Sequence, residues 1–242
     1  MFIDFSQRAR QEELMDDLDI RGPELEGALQ SLERVNRLLG GHRLILRGLN
    51  ELVQMTGHHW SEDRPCRILD LGCGGGDTLL AIARWGERRG IPMQLTGWDA
   101  NPHTVRYARS RCATDPNIEI HRADVFAEPF PEKVDVVLCS LFLHHFAEPE
   151  ICRLLDKVRQ AGIPGVLIND LHRSPMAYSA FRLFCAIFRV PYMARHDGLL
   201  SIRKGFCRAD WKTLVPPAEA YAYNLRWQWA FRWQVLLHKT RT

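Results

Sequence analysis

Arg67-Ile68-Leu69-Asp70-Leu71-Gly72-Cys73-Gly74-Gly75-Gly76-Asp77 reads as an apolar strand, a glycine loop and the first turn of a helix. Glycines let a chain turn tightly and let backbone amides approach a ligand with no Cβ in the way. A glycine pattern alone is a weak signal. Here Asp70 stands at the strand end, immediately before the loop. A carboxylate there would repel a pyrophosphate and welcome a cationic amino-acid ligand. That argues against a nicotinamide-type dinucleotide site.

On both sides of this stretch, short apolar runs alternate with helical patterns. Strands are predicted at Arg67 to Leu71, Gln94 to Trp98, Ile118 to His121, Val134 to Cys139 and Gly165 to Asn169. Helices are predicted at Thr78 to Arg89, Pro102 to Cys112 and Pro149 to Gln160. This βαβα rhythm implies a parallel sheet covered by helices on both faces, with right-handed crossovers. Ligands of such sheets bind at the carboxyl ends of the strands. Three acids stand at successive strand ends: Asp70, Asp99 in Gly97-Trp98-Asp99-Ala100-Asn101, and Asp124 in Arg122-Ala123-Asp124-Val125.

Asp70-Leu71-Gly72-Cys73-Gly74-Gly75-Gly76 matches E/D-x-G-x-G-x-G residue by residue, and in this the chain resembles the class I S-adenosylmethionine-dependent methyltransferases. The resemblance spans about residues 64–170 and, more loosely, two closing strands. It implies an α/β, Rossmann-like fold: a mostly parallel seven-stranded sheet with an antiparallel last strand, N-terminal helices and a helical lid insertion. It also implies S-adenosylmethionine as cofactor and S-adenosylhomocysteine as product. Asp70, Gly72, Cys73, Gly74 and Gly76 would then wrap the methionine part. Asp99, with Ala100 and Asn101, would hold the ribose hydroxyls, a bidentate task suited to a carboxylate. Asp124 and Val125 would read the adenine edge, and Ser140 and Leu141 would close the site. No metal is expected.

The chain before residue 60 is expected to be a helical cap, and 61–242 the cofactor-binding domain. Leu25, Leu29, Leu32, Val35 and Leu39 make one apolar helix face between Gly22-Pro23 and Gly40-Gly41. A second helix carries Ile45, Leu49, Leu52 and Val53. Phe181, Phe184, Cys185 and Phe188 share a helical face in a lid spanning about 174–201. With Met176, Tyr178, Tyr192 and Met193 they would form an apolar cap over a hydrophobic acceptor. A short helix is predicted at Arg208 to Leu214, stopped by Pro216-Pro217. Trp227, Trp229, Phe231, Trp233, Val235 and Leu237 alternate as one half-buried strand, with Tyr221 and Tyr223 on its antiparallel partner.

A net charge of +3 shows no concentrated basic face, so no nucleic-acid partner is expected. Seven cysteines without Cys-x-x-Cys spacing argue against disulfides and structural zinc and fit a reducing cytoplasm. The first residues lack a signal-peptide core. The most apolar later stretch, Pro175 to Ala194, is broken by Arg182 and Arg189, so no membrane span is expected.

The fourth strand continues as Ser140-Leu141-Phe142-Leu143-His144-His145-Phe146 and lacks the Asn/Asp-Pro-Pro-aromatic motif of many base N-methylating relatives. A small-molecule acceptor, methylated on oxygen or carbon, follows. Asn36 to Gly41, Asp170 to Ser174 and His196 to Ser201 resemble bacterial small-molecule methyltransferases associated with type III polyketide synthases. That implies O-methylation of a phenolic or polyketide-type metabolite. C-methylation of a quinone precursor, a protein or RNA substrate, and a non-catalytic cofactor-binding scaffold are the alternatives. A phenol gains from a nearby base. His144, His145, His172 and His196 are the candidates, with His145 and His172 preferred because they follow adjacent strand ends.

Overall fold

A computed structural model describes residues 3–56, 60–215 and 221–239. Seven strands, β1 (Cys66–Leu71), β2 (Met93–Asp99), β3 (Ile118–Arg122), β4 (Val136–Ser140), β5 (Gly165–Leu171), β6 (Ala222–Gln228) and β7 (Arg232–His238), form one sheet of order β3-β2-β1-β4-β5-β7-β6. Only β7 runs against its neighbours. Helices α3 (Asp77–Arg89), α4 (Pro102–Cys112) and α5 (Glu148–Gln160) are the crossovers. This is the Rossmann-like architecture of class I methyltransferases.

The central strands are buried on both faces, which is why they read as unbroken apolar runs. Leu69, Leu71, Val137, Cys139, Val166 and Ile168 face α5 and α8 (Arg208–Leu214). Ile68, Val136, Leu138, Leu167 and Leu236 face the opposite layer. That layer includes α2 (Gly41–Thr56), whose Ile45, Leu49 and Leu52 are each 1% exposed. Each such side chain contributes about 1.5–3 kcal/mol by leaving water. α1 (Pro23–Leu38) packs on α2, with Pro at its first position and Leu25 and Leu29 buried.

The lid is two helices, α6 (Pro175–Phe188) and α7 (Tyr192–Lys204). Its apolar residues divide. Phe181 and Phe184 turn inward, whereas Met176, Phe188 and Tyr192 are exposed. α7 has no apolar periodicity in the sequence because its inward face is mixed: Ala194, Asp197, Leu200, Ser201 and Lys204 are all buried. No described helix is long and apolar enough to cross a membrane.

The chain closes with two antiparallel strands, as expected, but the strand expected from Trp227 to Leu237 is divided between them. Trp227 belongs to β6, Trp229 lies in the turn, and β7 starts at Arg232. Trp229, Ala230 and Phe231 make a three-residue loop between the paired Gln228 and Arg232, with Ala230 and Phe231 at left-handed φ values of 62° and 55°. Neither Ala230 nor Phe231 is the Gly or Asn that would announce such a turn, so the aromatic alternation ran across it unmarked. Nor is β7 half-buried: it lies between β5 and β6, with Arg232 to Leu237 all buried. Pro216-Pro217 lies outside the described residues.

Candidate active site

The carboxyl ends of β1, β2 and β4 open onto a cavity of about 670 Å³. Its floor includes Gly72, Gly74, Asp99, Ala100, Asn101, Asp124, Val125 and Leu141. Gly72 has φ +69°, and a Cβ there would overlap the Phe142 ring. Gly74 has φ +52°, and a Cβ there would project into open space, with only Leu29 Cδ2 at 4.0 Å. The loop is therefore shaped on one side by Phe142 and left open on the other.

Asp99 is fixed by two amides: Gly74 N donates to Oδ2 at 3.1 Å and Asn101 N to Oδ1 at 3.0 Å. Burial raises its pKa, partly offset by these bonds. Asn101 caps α4, accepting from His103 N (2.8 Å) and Thr104 N (3.2 Å). Asp124 is exposed and accepts from Phe126 N at 2.8 Å. Leu141 ends β4 in a left-handed conformation, φ 53°, and bonds Asn169 O.

Asp70, Cys73, Gly76 and Ser140 stand behind this surface and do not line it. Asp70 is 1% exposed, and its Oδ1 has no hydrogen-bond partner. Burial, with Asp77 and Asp99 nearby, pushes its pKa far above the carboxylate range. A cation brought close would stabilise the charged form. The Cys73 thiol points into the core, and Gly76 starts α3.

The far end of the cavity holds a polar cluster. After β4, a 3-10 turn (Leu143–His145) presents both histidines to the cavity, their rings 4.3 Å apart. His144 is clamped: Nδ1 is 2.8 Å from Asp170 Oδ1, and Nε2 is 3.7 Å from Glu13 Oε1. His145 Nδ1 is 2.7 Å from Asp16 Oδ1. Burial works against the His145 imidazolium, but the Asp16 hydrogen bond and the Glu13 and Asp16 charges outweigh it and raise its pKa. Glu13, His144 and His145 have metal-ligand spacing, with ligand atoms within 4.8 Å of one another. Lys204 Nζ, 3.3 Å from Glu13 and 3.2 Å from Asp16, already supplies positive charge there.

Of the other candidate bases, neither faces the cavity. His172 bridges to Phe206, and its Nδ1 accepts from Trp227 Nε1 at 3.2 Å. His196 pairs with Asp197 at 2.9 Å. The structure therefore separates His145 from His172.

An N-terminal strap that carries no local sequence signal completes the cavity. Glu12, Glu13, Met15, Asp16 and Leu18 form one wall. Leu14 N and Met15 N donate to the buried Asp197 carboxylate at 2.9 and 3.0 Å. Asn101 Nδ2 reaches the Asp17 and Ile20 carbonyls. In the sequence this segment looks like a solvated charge run, because its partners lie far along the chain.

Residues 68–165 match the family described as a methyltransferase domain. Over this stretch the chain is similar to methyltransferase domains. Over 172 residues it is 30% identical to a ubiquinone biosynthesis O-methyltransferase of Albidiferax ferrireducens, covering 67% of this chain and 58% of that protein. A mitochondrial protein of the same name from Schizosaccharomyces pombe is 31% identical over 149 residues, covering 57% of this chain and 51% of its own. The chain thus spans little more than half of either relative. The fold matches that of the plantazolicin methyltransferase solved with SAH (TM-score 0.65, 16% identity, 88% and 89% of the two chains). It also matches human N-acetylserotonin methyltransferase solved with SAM (TM-score 0.60, 16% identity, 96% and 63%). S-adenosylmethionine is the cofactor of such a domain, and the site fits it: a glycine cradle, a fixed carboxylate at the second strand and, behind the loop, the buried Asp70 carboxyl group whose Oδ1 has no hydrogen-bond partner.

Proposed function

We propose that the chain methylates a hydrophobic small molecule with S-adenosylmethionine, on an oxygen of a phenolic, polyketide-type or quinone-precursor acceptor. One observation carries this reading: a single cavity joins the glycine loop and Asp99 to an apolar cap and to His145. The names of the relatives support oxygen as the acceptor atom.

S-adenosylmethionine supplies a methyl group on a sulfonium, already a good electrophile. The chain's own work is to align and desolvate the acceptor, which accounts for much of such an acceleration. Gly72, Gly74 and Leu141 would bound the amino-acid end, Asp99 the ribose, and Asp124 with Val125 the adenine. Phe181 and Phe184 would hold the acceptor's apolar body. His145 is the assigned base. It faces the cavity, Asp16 holds its Nδ1, and its Nε2 has no partner among the described residues. It would take the phenolic proton as the oxygen–methyl bond forms. His172 has no such access.

Incubation with labelled cofactor and a panel of phenols, quinols and catechols, read by mass spectrometry, tests the reaction; no labelled product from any of them would sink it. Asp99→Ala should weaken S-adenosylhomocysteine binding by roughly 1.5–3 kcal/mol, the range for hydrogen bonds to a charged group. Unchanged affinity in calorimetry would remove Asp99 from the site.

The base assignment has a pH signature. His145 acts only when neutral, so kcat/KM should rise with pH through its raised pKa. Asp16→Asn removes the group that stabilises the imidazolium. Its pKa should then fall, and the ascending limb should move to lower pH. His145→Asn should remove that limb. A limb unmoved in Asp16→Asn would mean that another group carries the proton.

A further inference from the structure

Arg232, the first residue of β7, is 2% exposed and lines the cavity. Its guanidinium Nε and Nη1 are buried without a hydrogen-bond partner. Burial lowers its pKa only to about 10, so it is charged at neutral pH. The one acid acting on it, Asp170, is committed to His144 and to Leu171 N. A buried charge without a hydrogen-bonded partner costs several kcal/mol, and a fold does not keep one without a compensating ligand or role.

Its neighbourhood is unsatisfied too. A Cβ on Gly41 would lie 3.0 Å from Arg232 Nη1 and on top of Asn36 Oδ1, which places these two side chains together. Asn36 Oδ1 has no partner either. Along the same sheet face, Gln234 reaches α2 through Leu44 O. Opposite Gln234 on β5, Asn169 is 0% exposed with both amide atoms unpartnered. The guanidinium is a planar fork of donors at the cavity wall and suits a carboxylate, which it receives with two parallel bonds; the Asn36 oxygen beside it accepts only and suits a donor such as the ammonium of an amino-acid group.

We propose that Arg232 is the anchor for a carboxylate of a bound small molecule. The group is either the amino-acid carboxylate of the cofactor or an acid group on the acceptor. This assignment rests on the reading of the cavity as a cofactor-and-acceptor site.

Two ligand pairs that differ in a carboxylate test it by calorimetry. S-adenosylhomocysteine has the amino-acid end, and 5′-methylthioadenosine lacks it. 4-Hydroxybenzoate has the acid that phenol lacks. Wild-type protein should prefer the carboxylate member of at least one pair, and Arg232→Met should erase that preference, about tenfold or more. Loss confined to the first pair assigns the cofactor; loss confined to the second assigns the acceptor. Arg232→Lys keeps the charge without the fork and should recover only part of the affinity. Arg232→Met binding all four ligands like the wild type overturns the proposal. If that variant does not fold, a wild type with no preference in either pair overturns it equally. Failure of the wild type to bind either nucleoside would count against the cofactor reading alone, because the benzoate pair still reports on Arg232.

Discussion

Gly74→Val should leave a folded protein that no longer binds S-adenosylhomocysteine. Two effects combine. The backbone at Gly74 sits at φ +52°, where a β-branched residue is strained by about 1–2 kcal/mol. The larger effect is occupancy, since the valine side chain would stand in the open space beside Asp99, whose Oδ2 takes the Gly74 amide. Gly90→Ala is the matched control. Gly90 has φ +62° with nothing within 4 Å of its Cβ direction, and it ends α3 away from the cavity. It should lose similar stability and keep full affinity. If calorimetry gave both variants wild-type affinity, the loop would not be the cofactor cradle.

Phe184→Asp should damage acceptor turnover far more than cofactor binding. Phe184 lines the cavity, lies 6.2 Å from Phe181 in a stacked arrangement and packs on Phe188 at 4.4 Å. Losing an aromatic contact with a hydrophobic acceptor is worth about 1.5–3 kcal/mol, which corresponds to roughly ten- to a hundredfold in kcat/KM. Phe184 is only half-buried, so a carboxylate there can turn to water and the fold should survive; circular dichroism checks this first. A folded variant with full turnover on a hydrophobic phenol would make the cap packing only. Phe188, which the sequence placed on the same face, is 56% exposed, and Phe188→Asp should be nearly silent.

The parts of the fold that were legible in the sequence are those whose burial is symmetrical or strictly periodic. β1, β4 and β5 are buried on both faces, and α4 starts at Pro102 behind its Asn101 cap, as local rules require. The position of the hairpin turn was not legible because Ala230 and Phe231 accept positive φ under tertiary pressure. α7 was hidden by buried Asp197 and Lys204, which are satisfied by the strap, and by buried Ser201, whose hydroxyl donates to Asp197 O one turn back. The site divides along the same line. Residues tied to strand ends, such as Asp99, Asp124 and His145, could be placed from order alone. Glu13, Asp16 and Arg232 could not, because their meaning lies in partners or an orphaned charge that only three dimensions reveal.

The N-terminal strap gives the cavity a thermodynamic property. Residues 14–20 bond at one end to Asp197 and His145 and at the other to Asn101, next to Asp99, on two sides of the one cavity. At about 0.5–1.5 kcal/mol per bond, the whole attachment is worth several kcal/mol. A short segment cannot reposition one end without straining the other. Whatever settles the strap against Asn101 therefore also settles Asp16 against His145. A ligand that shifted the strap at one end would therefore change affinity at the other, and by linkage the two affinities would change by the same factor.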